Sequence, residues 1–166
     1  ERPIRFIEIW NEPNFWYLDQ REPRRPENAE QRIAMETRRE KLYAKLLPAA
    51  NKHIKENWPS VQVVGFAAGG SSHADVRFIE HVHQNNPAVA ESYDILSTHP
   101  YVRPVPPETE YIKSWGAYSV AGSLAEIRET LREYGAAGRP MLRRRKEEDQ
   151  EWPGPNDTTS RHRSTM

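Results

Sequence analysis

Two residues that could carry acid–base and hydrogen-bonding chemistry, Asn11 and Glu12, directly follow an apolar, β-prone run near the start of the chain. The stretch reads IEIWNEPNFWY, so the carboxyl group would lie beside the aromatic side chains of Trp10, Phe15 and Trp16. Burial against such a wall raises a carboxyl pKa, as a general acid working near neutral pH requires. The Asn11 amide and the flat aromatic faces would suit a hydroxyl-rich ligand such as a sugar. In the alternative interpretation, Asn-Glu-Pro forms only a turn.

A second pair of polar residues, His99 and Tyr101, follows another β-prone run at 93–97. A single histidine is more often structural than catalytic. Two strands that end in such residues are more informative, because the carboxyl ends of parallel strands meet at one edge of a sheet. We therefore expect His99 and Tyr101 to lie near Glu12.

A metal site is not indicated by the histidine spacing. His81 and His83 are two residues apart in a predicted helix, so they point in different directions, and no neighbouring carboxylate completes a ligand set. We interpret both as surface histidines. The sequence predicts no metal and no cofactor.

Strand and helix patterns alternate along the chain. The predicted strands are 4–10, 61–66, 93–97 and a strand that begins at 138–142, and the predicted helices are 29–57, 75–84 and 123–134. We expect the first strand to be buried and Pro48 to kink or divide the first helix. Ser123 and Glu126 have the spacing of a capping box, and Gly135 stands where a helix C-terminal cap belongs.

This alternation predicts an α/β fold with a parallel sheet, because each parallel connection needs a crossover helix. A doubly wound sheet and a (β/α) barrel both fit the pattern. In both folds the functional residues lie at the carboxyl ends of the strands.

The motifs resemble those of one enzyme group. IEIWNEPN is similar to the fourth-strand signature of clan A glycoside hydrolases, the (β/α)8 retaining glycosidases, and YDILSTHPY is similar to the sixth strand of that fold. GRPM resembles the approach to the seventh strand. Strand spacing and loop style look closest to glycoside hydrolase family 39 and its cellulase-like relatives. The resemblance covers residues 1–142 and implies a partial TIM barrel, about strands 4 to 7.

The resemblance also implies roles for individual residues. Glu12 would be the acid/base carboxylate, and Asn11 would hydrogen-bond the 2-hydroxyl of the sugar. His99 and Tyr101 would line the subsite at the cleavage point, with Tyr101 able to orient the nucleophile. Trp16 and Trp115 are candidate sugar platforms, although either could equally cover the edge of the barrel.

The second carboxylate that a retaining glycosidase needs is not where the resemblance places it. Counting from Pro140, the position falls at Arg144 or Arg145, and the acids Glu147 and Glu148 lie in a run of charge that cannot fill a barrel strand. We expect residues 143–166 to be a polar tail, either disordered or translated out of frame. The chain also opens on Glu1, so we expect the natural N-terminus to lie further upstream.

Composition excludes several classes of function. The 24 basic and 24 acidic residues cancel, so no overall field favours nucleic acid or an anionic membrane. No apolar run approaches the roughly 20 residues that span a bilayer. The basic segment 143–146 could contact nucleic acid, but Glu147, Glu148 and Asp149 offset its charge. The absence of cysteine excludes disulfides and a thiolate nucleophile, and is compatible with any compartment.

The sequence thus predicts a fragment of a retaining glycoside hydrolase that acts on poly- or oligosaccharides, with its nucleophile missing and its activity in isolation impaired. The alternative is a non-catalytic carbohydrate-binding remnant of such an enzyme. The expected partner is a carbohydrate, and the unpaired barrel edges favour self-association. Secretion would suit an enzyme on polysaccharides, but the sequence does not define the localisation, the sugar or the linkage.

Overall fold

The fold is known from a computed structural model, which describes residues 3–15, 26–70, 73–100, 111–112, 117–118 and 120–143. The elements in chain order are β1 (Phe6–Glu8), α1 (Ala29–Asn57), β2 (Gln62–Gly69), α2 (His73–Asn85), a 3-10 helix (Pro87–Glu91), β3 (Ile95–His99), β4 (Tyr111–Ile112), β5 (Ala117–Tyr118), α3 (Val120–Glu133) and β6 (Met141–Arg143). None of the described helices combines the length and the apolar character that crossing a membrane requires.

Four of the strands form one parallel sheet in the order β1-β2-β3-β6. The predicted α/β class and the predicted parallel sheet are therefore confirmed. The order of the strands follows the chain, with no reversal of the kind that defines a doubly wound sheet. The sheet is consistent with part of a barrel.

The helices form a single layer on one face of the sheet, since α1 contacts α2 and α2 contacts α3. The core lies between this layer and the sheet. Its members are large apolar side chains from both layers, among them Tyr43, Leu47, Val63, Phe66, Ile79, Val82, Leu96 and Leu131.

Helix α1 is continuous through Pro48, so of the two expected effects of proline, a kink or a division, the division is wrong. Proline has no N–H, which leaves the carbonyl of Ala44, four residues earlier, without its helical donor. The side chain of Asn86 donates a hydrogen bond to that carbonyl at 2.8 Å. Asn86 also caps the 3-10 helix by accepting from the N–H of Ala88. The Asn86 side chain therefore replaces the hydrogen bond that Pro48 cannot donate, and it also caps the start of the 3-10 helix.

The ends of α3 gave one wrong prediction and one correct prediction. Ser123 lies inside the helix, where its hydroxyl donates to the carbonyl of Val120, so the capping box does not form. At the other end, Gly135 has a φ of +69° and donates to the carbonyl of Arg132. Ala136 donates to the carbonyl of Leu131, which completes a Schellman motif.

The first strand differs from the expectation of a buried strand. Its pairing is limited to Phe6–Glu8, and the side chains of Ile4 and Phe6 are 72% and 52% exposed. Ile7 and Ile9 face the helical layer and contact the core. β1 is an edge strand in the described sheet, with one face covered and the other open.

The short antiparallel pair β4–β5 was not predicted, because the sequence there reads as a proline-rich loop. β6 confirms the predicted fourth strand. The predicted tail lies outside the described residues from 144 onward.

Candidate functional site

Two side chains that the sequence singled out separately meet at the carboxyl edge of the sheet. Nδ1 of His99, at the end of β3, lies 3.0 Å from Oε1 of Glu12, which follows β1. Both residues are nearly inaccessible, Glu12 at 8% and His99 at 2% exposure. Strand β2 lies between β1 and β3, so the carboxylate reaches across one strand to contact the imidazole. The prediction that His99 lies near Glu12 is confirmed.

The backbone that presents Glu12 departs from regular strand geometry. Trp10 and Glu12 have φ values of +68° and +48°, in the left-handed region that side chains other than glycine rarely occupy. The N–H of Glu12 donates to the carbonyl of Ala67 at 3.0 Å, and the carbonyl of Glu12 accepts from the N–H of Phe15 at 2.9 Å. These bonds fix a tight turn directly after β1 and turn the carboxylate toward the neighbouring strands.

A bulge in β2 receives this turn. The pairing with β3 shifts between Phe66 and Ala68, so Ala67 is an additional residue, and Phe66 and Ala67 have φ values of +74° and +45°. The carbonyl of Ala67 is the acceptor for Glu12. Strain of this kind costs on the order of 1–3 kcal/mol per residue and is concentrated at functional sites, as bulges are.

The hydroxyl of Tyr43 connects the two irregular strand ends. This group is fully buried, donates to the carbonyl of Ile9 at 3.0 Å and accepts from the N–H of Phe66 at 2.6 Å. Burial raises the pKa of Tyr43 well above its usual value, and the hydrogen bond from Phe66 only partly opposes this effect. The hydroxyl therefore stays protonated and holds the end of β1 against the bulge.

Asn14 fastens the turn to the end of β2. Its side-chain oxygen accepts from the N–H of Gly69 at 2.9 Å, and its amide donates to the carbonyl of Gly69 at 2.7 Å and to Asp75 at 2.9 Å. Arg39 donates to the Asn14 carbonyl at 3.1 Å. One side chain thus replaces the backbone pairing that β1 no longer supplies.

Gly69 leaves the space that Glu12 occupies. A Cβ atom at this position would lie 2.9 Å from the carboxyl carbon of Glu12 and 2.8 Å from the ring of Phe15. The Glu12 carboxyl and the Phe15 ring therefore flank the same glycine. Of the three aromatic residues expected beside the carboxyl group, Phe15 flanks it, Trp10 is 47% exposed and Trp16 lies outside the described residues.

The arrangement places a proton between two groups of complementary chemistry. Either the imidazole N–H donates to the Glu12 carboxylate, or the protonated carboxyl donates to Nδ1 of His99. In the first state the pair holds a negative oxygen, and in the second it holds an acidic proton. Such a pair can deliver a proton to a ligand atom and recover it.

Of the other predicted site residues, the structure describes only Asn11. Asn11 immediately precedes Glu12 and is exposed. Tyr101, Trp16 and Trp115 lie outside the described residues. Asn14, Gly69 and Tyr43 shape the site without having been predicted. The Ala-Ala-Gly-Gly run at 67–70 was the available sequence signal for Gly69, since it indicates close backbone approach at a strand end.

The two histidines of α2 have different environments, and one of them corrects a prediction. His83 is not on the surface, because its ring is buried and stacks on Phe66 and Tyr134. His81 is partly exposed, and its Nδ1 lies 2.7 Å from the carboxylate of Glu40 on α1. Among the described residues, no group of three or more histidine, aspartate or glutamate side chains has a metal-binding arrangement.

A cavity of about 350 Å³ lies behind the site, between the first half of α1 and α2. Its lining includes Asn14 and Phe15 of the turn after β1, and also the paired Glu40 and His81. Its charged lining contains both signs, so its polarity does not favour an anion or a cation.

Comparisons with known proteins found no relative of this chain. No protein-family model matches the sequence, and neither the curated proteins nor the solved structures contain a match.

Proposed function

We propose that the chain is part of a retaining glycoside hydrolase, in which Glu12 is the general acid/base and the described sheet is about half of a (β/α)8 barrel. The observation that carries the proposal is the buried contact between Glu12 and His99 at the carboxyl edge of a parallel sheet. In barrel enzymes the reacting groups lie at this edge. The chain-ordered strands and the single helical layer support the barrel over a doubly wound sheet.

In this mechanism Glu12 acts twice. Its protonated carboxyl donates a proton to the leaving glycosidic oxygen, and its carboxylate then removes a proton from the water that attacks the sugar. His99 orients the carboxyl group of Glu12, because its Nδ1 shares a hydrogen bond with Oε1 of that group. Asn11 immediately precedes Glu12 and is exposed, and in this proposal its amide contacts a sugar hydroxyl.

The second candidate function is carbohydrate binding without hydrolysis. A retaining enzyme needs a nucleophilic carboxylate about 5 Å from the acid/base, supplied from the strand that corresponds to β6. The expected position of that carboxylate, directly after β6 (Met141–Arg143), is Arg144 or Arg145. This composition favours a remnant that keeps the sugar-contacting residues and has lost the chemistry.

Hydrolysis of aryl β-glycosides by the chain and by Glu12→Gln tests the first function. Loss of a general acid typically costs about 10²–10⁴-fold in rate. We expect this loss with a poorly activated phenol as leaving group, and a much smaller loss in the cleavage step with dinitrophenol, which leaves without protonation. An equal loss of that step for both leaving groups would assign Glu12 a purely structural role.

Glu40→Gln is the matched control. Glu40 is also nearly buried, at 9% exposure, and also contacts a histidine, but it lies between α1 and α2. We expect its hydrolysis rates to match those of the parent chain. Binding of oligosaccharides without turnover, measured by calorimetry, would support the binding remnant.

A further inference from the structure

We propose that the cavity between α1 and α2 is a second ligand site, which binds one neutral sugar ring and acts on Glu12 through the turn after β1. This inference follows from the walls of the cavity and does not require hydrolysis at Glu12. It goes beyond the proposed function, because the cavity is separate from the carboxyl edge of the sheet where the substrate would bind.

The size of the cavity suits one small ring-shaped ligand. Its volume is about 350 Å³. Ligand pockets range from about 300 to 1,000 Å³, so this one lies near the lower end. It would hold one sugar ring with its hydroxyl groups, whereas a trisaccharide would exceed it.

Part of the cavity wall is apolar and aromatic. Phe15, Met35 and Phe78 line the cavity, and Phe15 is 46% exposed although its side chain is large and apolar. An accessible aromatic ring in a concave site offers a contact surface for the apolar face of a ligand. A sugar ring has such a face, formed by its C–H groups.

The polar part of the wall combines hydrogen-bond donors with acceptors. Arg39 and Arg77 line the cavity together with Glu36 and Asp75. A guanidinium group only donates hydrogen bonds and a carboxylate only accepts them, whereas a hydroxyl group does both. A simple anion or cation would be repelled by the side chains of its own sign. The wall therefore favours a neutral ligand with several hydroxyl groups.

The hydrogen bonds that hold the turn after β1 are part of the same wall. Asn14 donates to Asp75 at 2.9 Å, and Arg39 donates to the carbonyl of Asn14 at 3.1 Å, and all three residues line the cavity. The Asn14 side chain also bonds twice to Gly69, beside which the Glu12 carboxyl group lies. A ligand that bonds to Asp75 or Arg39 therefore changes the forces on the turn that presents Glu12.

Phe15 provides a second connection between the cavity and the carboxyl group. Its ring lines the cavity and also flanks Gly69, on which an added Cβ would lie 2.8 Å from the ring and 2.9 Å from the Glu12 carboxyl carbon. A ligand that packs against Phe15 fixes the ring and with it the space left to the carboxyl group. Two sites that share such residues are coupled, and the coupling acts in both directions.

Titration of the isotope-labelled chain with glucose, xylose, galactose and mannose, followed by NMR, tests the site. We expect at least one of them to bind with a dissociation constant on the order of 1–10 mM, since so small a ligand makes few contacts. The largest shifts should occur at the amides of Arg77 and Phe78. A smaller shift of the His99 imidazole, which contacts Glu12, should follow the same binding curve.

Arg77→Ala assigns the binding to the cavity. Arg77 is exposed on α2, so the variant should fold as the parent chain does. Loss of one hydrogen-bond donor should weaken sugar binding about fivefold, and Arg77→Lys, which keeps a donor, should restore part of it. Arg132→Ala is the matched control, because Arg132 is also exposed but lies on α3 outside the cavity lining, and it should bind as the parent does. Equal binding by Arg77→Ala and the parent chain would overturn the proposal.

Acetate, methylammonium and glycine, as an anion, a cation and a zwitterion, test the ligand class. Tighter binding of any of them than of every sugar would overturn the assignment of a neutral sugar. A folded chain in which none of the four sugars shifts the cavity residues would overturn the site, and saturation without a shift at His99 would overturn its action on Glu12. A monosaccharide that shifts the cavity residues, with no oligosaccharide binding at the carboxyl edge, would support this inference and contradict the proposed function.

Discussion

At the scale of single residues, the site depends on a glutamate held in a strained conformation beside a buried histidine. The left-handed φ of Glu12 is retained because Ala67, Phe15 and the Asn14 side chain all bond to the same turn. The strained turn directs the carboxyl group of Glu12 toward His99. Preorganised geometry of this kind is what proton transfer to a ligand requires.

Gly69→Ala tests whether the space beside Glu12 is essential. The added methyl group would lie 2.9 Å from the Glu12 carboxyl carbon, so the carboxyl group or the Phe15 ring must move. We expect a loss of about 1–3 kcal/mol in unfolding free energy, measured by urea denaturation, together with weaker sugar binding.

Gly138→Ala is the matched control for that substitution. Nothing lies within 4 Å of a Cβ atom at this position, so stability and binding should be unchanged. Equal effects of the two substitutions would contradict the assigned role of Gly69.

Residue types near the strand ends predicted the contact between Glu12 and His99, but not the residues that support it. Glu12 and His99 were identifiable because a carboxyl group and an imidazole each followed an apolar run. Asn14 was not, because its partner Gly69 is 55 positions away and the contact exists only once β1 and β2 are paired. The side chains of Tyr101, Trp16 and Trp115 lie outside the described residues, so their roles stay predictions.

At the scale of elements, the bulge in β2 and the first helix together set the position of the strand ends. Tyr43 of α1 bonds both to the carbonyl of Ile9 and to the N–H of Phe66 beside the bulge. The helix therefore fixes the strand irregularity as well as covering the sheet.

Tyr43→Phe removes this connection while keeping the ring in the core. Two backbone groups would lose a buried partner, and each unsatisfied group costs about 1–3 kcal/mol. We expect a drop of about 2–4 kcal/mol in unfolding free energy and faster amide exchange at Phe66. A stability equal to that of the parent chain would show that the hydroxyl does not bridge the strands.

Periodicity predicted the existence of the helices better than their ends. The capping-box spacing of Ser123 and Glu126 failed because α3 begins earlier, at Val120, and Glu126 instead contacts His73 of α2 at 3.0 Å. Tertiary contacts decided the start of this helix. The glycine at its end was predicted correctly, since a positive φ is a local requirement.

At the scale of the whole molecule, one core joins the sheet to the helical layer, and His83 lies inside it. Burial lowers the pKa of His83, and the hydrogen bond with the Ile79 carbonyl opposes this only in part. The unfolded chain takes up a proton at this histidine near pH 6.5, whereas the folded chain does so only at lower pH. The unfolding free energy should therefore fall as the pH decreases below about 6.5.

His83→Phe isolates this contribution. Phenylalanine keeps the stacking on Phe66 and Tyr134 but takes up no proton. We expect the loss of stability between pH 7 and pH 5, followed by urea denaturation, to be smaller in this variant than in the parent chain. His53→Phe, at an exposed position on α1, should keep the parent's pH dependence. Identical curves for all three proteins would contradict a buried neutral His83.

The α/β class and the parallel sheet followed from the alternation of patterns, but the exposure of apolar side chains on the two edge strands did not. Ile4, Phe6 and Leu142 read as buried strand residues because they are apolar. Their exposure depends on which strands are present beside them, and local patterns carry no information on that.

The central claim is that the edge of the sheet at Glu12 and His99 holds carbohydrate, which the hydrolase and the binding remnant share. The most direct test is to titrate the isotope-labelled chain with soluble β-linked oligosaccharides and follow the amide and imidazole resonances by NMR. We predict that the largest shifts occur at Glu12, Gly69 and His99. A folded chain in which no oligosaccharide shifts these resonances, or in which the shifts cluster elsewhere, would contradict the account.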